Sequence, residues 1–104
     1  MDVQTARRLA ESELAKIATP SVPLQLVDAD HVVDVGWAFV FAWNSQRWFE
    51  TRDRNDAVGP SAGPIVVVKT PPLAFTLASA PSVDEQLARY AVANSLPSPP
   101  PLFW

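Results

Sequence analysis

Apolar residues fall at helical spacing near the start of the chain. Val3, Ala6, Ala10, Leu14 and Ile17 recur every three or four positions, with Leu9 and Ala18 widening the stripe. Arg7, Arg8, Glu11 and Lys16 fall mostly off it. The spacing predicts an amphipathic helix from Val3 to about Ala18. Asp2 is a suitable N-cap, since its carboxylate can accept an N–H that the first turn leaves unpaired. Thr19-Pro20-Ser21-Val22-Pro23 stops the helix.

The pattern then changes to period two. Leu24 to Asp28 alternates like a short strand, and Asp28-Ala29-Asp30-His31 reads as a connection. Gly36 to Asn44 is the clearest strand. Trp37, Phe39, Phe41 and Trp43 share one face, and Ala38, Val40 and Ala42 share the other, which predicts a core face and a flat outer face. Asn44-Ser45-Gln46 reads as a turn and Arg47 to Arg52 as a returning strand. The register of that hairpin is open. A three-residue loop, the more economical arrangement, places Phe49 and Thr51 on the core face and Trp48, Glu50 and Arg52 outside.

Arg52 to Gly63 is a polar loop. Ile65-Val66-Val67-Val68 is apolar on both faces and predicts a central strand. After Pro71-Pro72, Leu73, Phe75 and Leu77 alternate with Ala74, Thr76 and Ala78, which predicts a strand with its large residues inward and its small ones outward. Ser82-Val83-Asp84-Glu85 is a capping box, opening a helix with Val83, Leu87, Tyr90 and Ala91 on one face. The order predicts an α+β fold, a four- to five-stranded antiparallel sheet with an N-terminal and a C-terminal helix packed on one face. Residues 1–94 form a single domain on this reading. Residues 95–104 form a proline-rich tail that folding does not need.

Composition narrows the function. At 104 residues and 48% hydrophobic, one core is affordable. The chain has no cysteine, which removes disulfides, thiolate catalysis and zinc-thiolate sites and fits a reducing compartment. Net charge is −3, without the basic stripe of a nucleic-acid binder. The longest apolar stretch, Gly36 to Trp43, is too short to span a bilayer as a helix, and the first residues lack a signal-peptide core. The expectation is a cytoplasmic protein with no membrane or nucleic-acid partner.

Candidate chemistry is sparse. His31 is the sole histidine and no serine lies in Gly-x-Ser-x-Gly. A solvated turn histidine is the expected reading, and a Ser-His-Asp site using His31 is its competitor. Asp28, Asp30, His31 and Asp34 carry ligand-type side chains, but their spacing matches neither an EF-hand nor a two-histidine zinc motif. Aspartates that bond their own turn backbone are the default there. Gly59-Pro60-Ser61-Ala62-Gly63-Pro64 lacks the Gly-Lys-Ser/Thr ending of a phosphate loop, and its prolines remove N–H donors. No cofactor and no metal are expected. Glu50 reads as a surface residue paired with Arg52 or Arg47.

The middle and second half of the chain resemble the bacterial YrhB domain, also called the immunity protein 35 family. The matching residues are Gly36-Trp37-Ala38-Phe39-Val40-Phe41, Asn44-Ser45-Gln46-Arg47-Trp48-Phe49-Glu50-Thr51, Gly63-Pro64-Ile65-Val66-Val67, and Ala80-Pro81 leading into Val83 to Tyr90. With the leading helix the resemblance covers most of residues 3 to 94. Ala62 stands where the family has asparagine, and Thr70-Pro71-Pro72 where it has a glycine-containing turn, so loop geometry differs. The resemblance implies an immunity protein that binds and occludes a cognate toxin of a competing bacterium and has no catalytic residues of its own. The partner would be that protein toxin, and the chain itself a monomer. Alternatives are a chaperone-like binder of unfolded proteins using the flat outer face, and a hydrolase built around His31. The candidate binding residues are Trp48, Glu50, Arg52, Asp53, Arg54 and Asp56. Trp48 would be the aromatic anchor, with Asp53 and Asp56 steering a basic partner.

Overall fold

A computed structural model describes residues 1–18, 20–53, 55 and 63–100. The helix α1 runs Val3–Ile17, capped by the Asp2 carboxylate, which accepts the Thr5 N–H at 2.8 Å. That bond to the anion, and the Thr5 hydroxyl beside it, lower the Asp2 pKa. Strands β1 (Leu24–Leu26), β2 (Val33–Asp34), β3 (Ala38–Phe41) and β4 (Trp43–Ser45) follow, with a 3-10 turn at Ala29–His31. Helix α2 is Gln46–Thr51, β5 is Ile65–Val68, β6 is Leu73–Thr76 and α3 is Val83–Ala93. The α+β class is as expected. An antiparallel sheet of four strands runs in the order β2-β3-β5-β6, beside a two-stranded sheet of β1 and β4.

Strands β3 and β5 lie in the interior of the larger sheet, and all eight of their residues are buried. Their antiparallel register sets Phe39 opposite Val67 and Phe41 opposite Ile65, with Ala38 opposite Val68 and Val40 opposite Val66. Because successive side chains point to opposite faces, the register sorts them into two cores. Phe39, Phe41, Ile65 and Val67 pack with Ala6, Ala10 and Leu14 of α1. Ala38, Val40, Val66 and Val68 pack with Leu87 and Ala91 of α3.

This corrects the expectation of two helices on one face, since α1 and α3 cover opposite faces. The flat outer face expected at Ala38 and Val40 is core too, because small side chains let α3 approach closely. Trp37 lies in the α3 core, away from Phe39 and Phe41. Gly36, at a φ of 97°, turns the chain just before β3 begins, so the alternation does not extend back to Trp37. The Trp37 ring stacks on Tyr90 of α3, centroids 5.4 Å apart.

A second correction concerns Arg47 to Arg52, expected as a strand. The long strand breaks at Ala42, and Trp43–Ser45 pairs instead with β1. The Ser45 hydroxyl then accepts the Trp48 N–H at 3.0 Å, an N-cap that starts α2. Phe49 is half-buried and Thr51 exposed, so neither belongs to the core face expected of them. The third correction is in β6, where Leu73 is 49% exposed and only Leu77, just beyond the strand, is fully inside.

Two ties close the structure. The Trp43 Nε1–H donates to the Gly63 carbonyl at 2.9 Å, while the Gly63 N–H donates to the Leu77 carbonyl at 2.8 Å. A Cβ on Gly63 would meet the Ala78 carbonyl oxygen at 2.6 Å, so this close approach requires glycine. The cap of α3 is the expected one in part. Ser82 accepts the Glu85 N–H at 3.2 Å, but the Glu85 carboxylate turns away to Arg89, 2.7 Å from its Nη2. Beyond α3, Leu96 packs into the same core, and the Trp37 Nε1–H donates to the Pro97 carbonyl at 3.1 Å.

Two expected outcomes follow from the packing. Phe41 is fully buried, and truncating such an aromatic costs about 3–5 kcal/mol, a large part of a small domain's stability. Phe41→Ala is therefore expected to unfold or aggregate, and a melting temperature within a few degrees of the parent's would contradict the assigned core. Contrary to the expectation of a tail that folding does not need, a chain ending at Asn94 loses both the Leu96 contact and the acceptor of the Trp37 indole. It is expected to melt below the full chain, and coincident melting curves would show that these contacts contribute nothing.

Candidate functional site

The broken strand and α2 together build a groove of about 460 Å³. One wall is α2, with Trp48, Phe49 and the residue after its last turn, Arg52. The other is the segment leaving β1, with Val27, Asp28 and His31. Gln25, Val33 and Ala42 also line it.

Helical spacing explains the first wall. Positions 48 and 52 are four apart and share a face, so the Arg52 side chain reaches back over the rings. Its guanidinium carbon is 4.4 Å from the Trp48 centroid and 5.3 Å from that of Phe49. The two rings meet edge to face at 5.1 Å. The Arg52 N–H donates to the Trp48 carbonyl at 2.7 Å, and its backbone is left-handed, φ 57° and ψ 23°. Helices commonly end this way, but with glycine, because a side chain there costs about 1–2 kcal/mol.

The second wall is a turn. The Asp28 carboxylate and the His31 Nδ1 are hydrogen-bonded across the 3-10 turn, an ion pair when His31 is protonated, with both side chains exposed. The hydrogen bond and charge of Asp28 raise the His31 pKa above its ordinary value, with Arg52 opposing weakly from across the groove. The bond from His31 lowers the Asp28 pKa. Arg7 of α1 fixes the base of this wall by donating its Nη1–H to the Val27 carbonyl at 2.9 Å.

The expected binding residues separate. Trp48 and Arg52 are in the groove. Glu50 is on the other flank of α2, at a separate depression shared with Val22 and Arg47. Arg52 stacks on the rings instead of pairing with Glu50 as expected. Asp53 is exposed, and its carboxylate accepts the Asn55 N–H at 2.9 Å. Arg54 and Asp56 lie outside the described residues, as do residues 59–62 of the glycine-bearing loop.

The acidic cluster near His31 is also divided. Asp34 accepts the Gly36 N–H at 2.8 Å and pairs with Lys69 at 2.9 Å, whose ammonium bond lowers its pKa. Among the described residues no three histidine or acidic side chains gather as a metal site would require. Sequence reasoning missed Asp28 and His31 as neighbours of Trp48. The available signal was Ser45, a good N-cap three residues before Trp48, which points to a helix and so to the 48/52 pairing.

An antiparallel sheet closed by a helix on each face, with an open groove lined by rings and charges at one end, defines a small α+β protein. The chain belongs to the Immunity protein 35 family, whose sequence profile matches residues 4–92. No curated protein matches the chain, and no solved structure does. No helix among the described residues is long and apolar enough to cross a membrane.

The Asp28–His31 pair gives a pH prediction. His31's contribution is complete below the midpoint of an unfolded histidine and is lost as pH rises through its raised folded midpoint. Asp28's is present above the ordinary carboxylate midpoint and is lost as pH falls through its lowered one. In an NMR titration, Asp28→Asn is expected to bring the His31 midpoint down toward the ordinary 6.5. An unchanged midpoint would show that the pair does not form.

Proposed function

We propose that the protein is a cytoplasmic immunity protein of a bacterial polymorphic toxin system that binds its cognate toxin and neutralises it by occlusion. Family membership over residues 4–92 supports the class. The observation that carries the surface is the Trp48–Arg52 stack at the mouth of the groove. Trp and Arg are the residue types most enriched at binding hot spots, and a ring already stacked loses little freedom on association.

The chaperone-like reading relied on an exposed flat face at Ala38 and Val40, which α3 covers. A hydrolase around His31 has one observation in its favour, a carboxylate-oriented histidine in a groove. Among the described residues, the groove lining holds no hydroxyl or thiol for that histidine to activate.

Co-expression with a candidate toxin taken from the neighbouring genes tests both readings. Trp48→Ala is expected to stay folded, since the ring is half-buried and belongs to neither core, and to lose protection. His31→Ala is expected to keep most of it. Full protection by folded Trp48→Ala would place the contact elsewhere, and abolished protection by folded His31→Ala would favour catalysis.

A further inference from the structure

One cation in the groove has no anion among the described residues. Elsewhere Arg7, Lys16, Lys69 and Arg89 each face a carboxylate, at 3.5, 2.8, 2.9 and 2.7 Å. Arg52 has no carboxylate partner among the described residues and lies flat over Trp48 and Phe49. Its nearest candidates are committed otherwise. Asp28 is paired with His31, and Asp53 accepts the Asn55 N–H. Asp28 is taken up by His31, so among the described residues the guanidinium is the charge in the groove that no side chain of opposite sign engages.

That guanidinium is presented, not merely exposed. A face stacked on a ring leaves its edge N–H donors unused, and those donors form a planar fork that matches a carboxylate. The rings around it hold the side chain in place before any partner arrives, which lowers the ordering cost of binding. The backbone adds a second sign. Arg52 occupies a left-handed position that glycine would fill without strain, and strain of this kind gathers where a side chain is used.

We infer that the groove between Trp48 and His31 receives an aspartate or glutamate side chain of a protein partner, with Arg52 as its anchor. This rests on the reading of the groove as the partner surface and adds the chemistry of what enters it. The expected steering of a basic partner by Asp53 and Asp56 concerns the rim. A lysine or arginine entering the groove would meet Arg52 directly, and like charges at close range are unfavourable.

The test needs no toxin. The ¹⁵N-labelled full chain is titrated with tetraglutamate, tetraglutamine and tetralysine peptides, following the Trp48 indole and Arg52 side-chain N–H signals. Tetraglutamate is expected to shift both, and the other two to leave them in place at the same concentration. Arg52→Gly, which suits the left-handed backbone and so keeps the fold, is expected to abolish the response. Arg52→Lys, a charge without the planar fork, is expected to weaken it several-fold. A response to tetralysine instead, an equal response in Arg52→Gly, or no groove response to tetraglutamate would each overturn the inference. Those results would leave the co-expression outcome standing, and loss of the co-expression outcome would leave the peptide response standing, so the two failures can be told apart.

Discussion

Two adjacent strands that are buried on both faces set the terms for the rest of the molecule. Each residue of Ala38–Phe41 and Ile65–Val68 is inside. Burying a valine, isoleucine or phenylalanine side chain is worth about 1.5–3 kcal/mol, and that gain requires a cover on each side. The two faces therefore need two separate helices. Alpha-helix α1 supplies small residues at Ala6 and Ala10 against the phenylalanines, and α3 supplies Leu87 and Tyr90 against the small face of the sheet. Large meets small on both sides, which is how packing approaches the density of a solid without voids.

What could be read from the sequence follows from that constraint. The run Ile65 to Val68 announces burial on both faces because every position is apolar. Ala38 and Val40 do not, since small residues opposite large ones look equally like an exposed face and like a seat for a helix. Local chemistry decides the Arg47–Arg52 segment the other way from its composition. Trp, Phe and Thr favour strands, yet the Ser45 cap and the left-handed turn at Arg52 close a helix around them. The α1 stripe and the Ser82 cap were legible because both signals are local. The groove was legible only in pieces. Trp48 and Arg52 stood out as interaction residues, Asp28 and His31 as a turn. What joins them is the pairing of Leu24–Leu26 with Trp43–Ser45, a contact between segments about twenty positions apart.

The groove thus depends on a small sheet whose Leu26 joins the α1 core, with Leu24 and Trp43 packed against it, while Trp48, Phe49 and Arg52 belong to neither core. Residues 24–26 and 43–45 hold the two walls in register, and Trp43 anchors its end to Gly63. The site is held by backbone ladders and caps, while the stability of the domain comes from the doubly covered strands. Substitutions at the groove's rings and charges can then alter binding without passing through the core. This separation suits a surface that must match one partner among many similar ones.

The helix that covers the small face is made after every strand of the sheet. During synthesis, Val40, Val66 and Val68 therefore leave the ribosome ahead of the helix that covers them. Only α1 is already at hand, and it belongs to the opposite face. The nascent sheet must pass through an interval with one greasy side open to the cell, shortened by the few residues that separate β6 from α3. Slow emergence of the stretch from Thr76 to Ala93 would lengthen that interval, and the pace of its release bears on how much of the chain escapes aggregation.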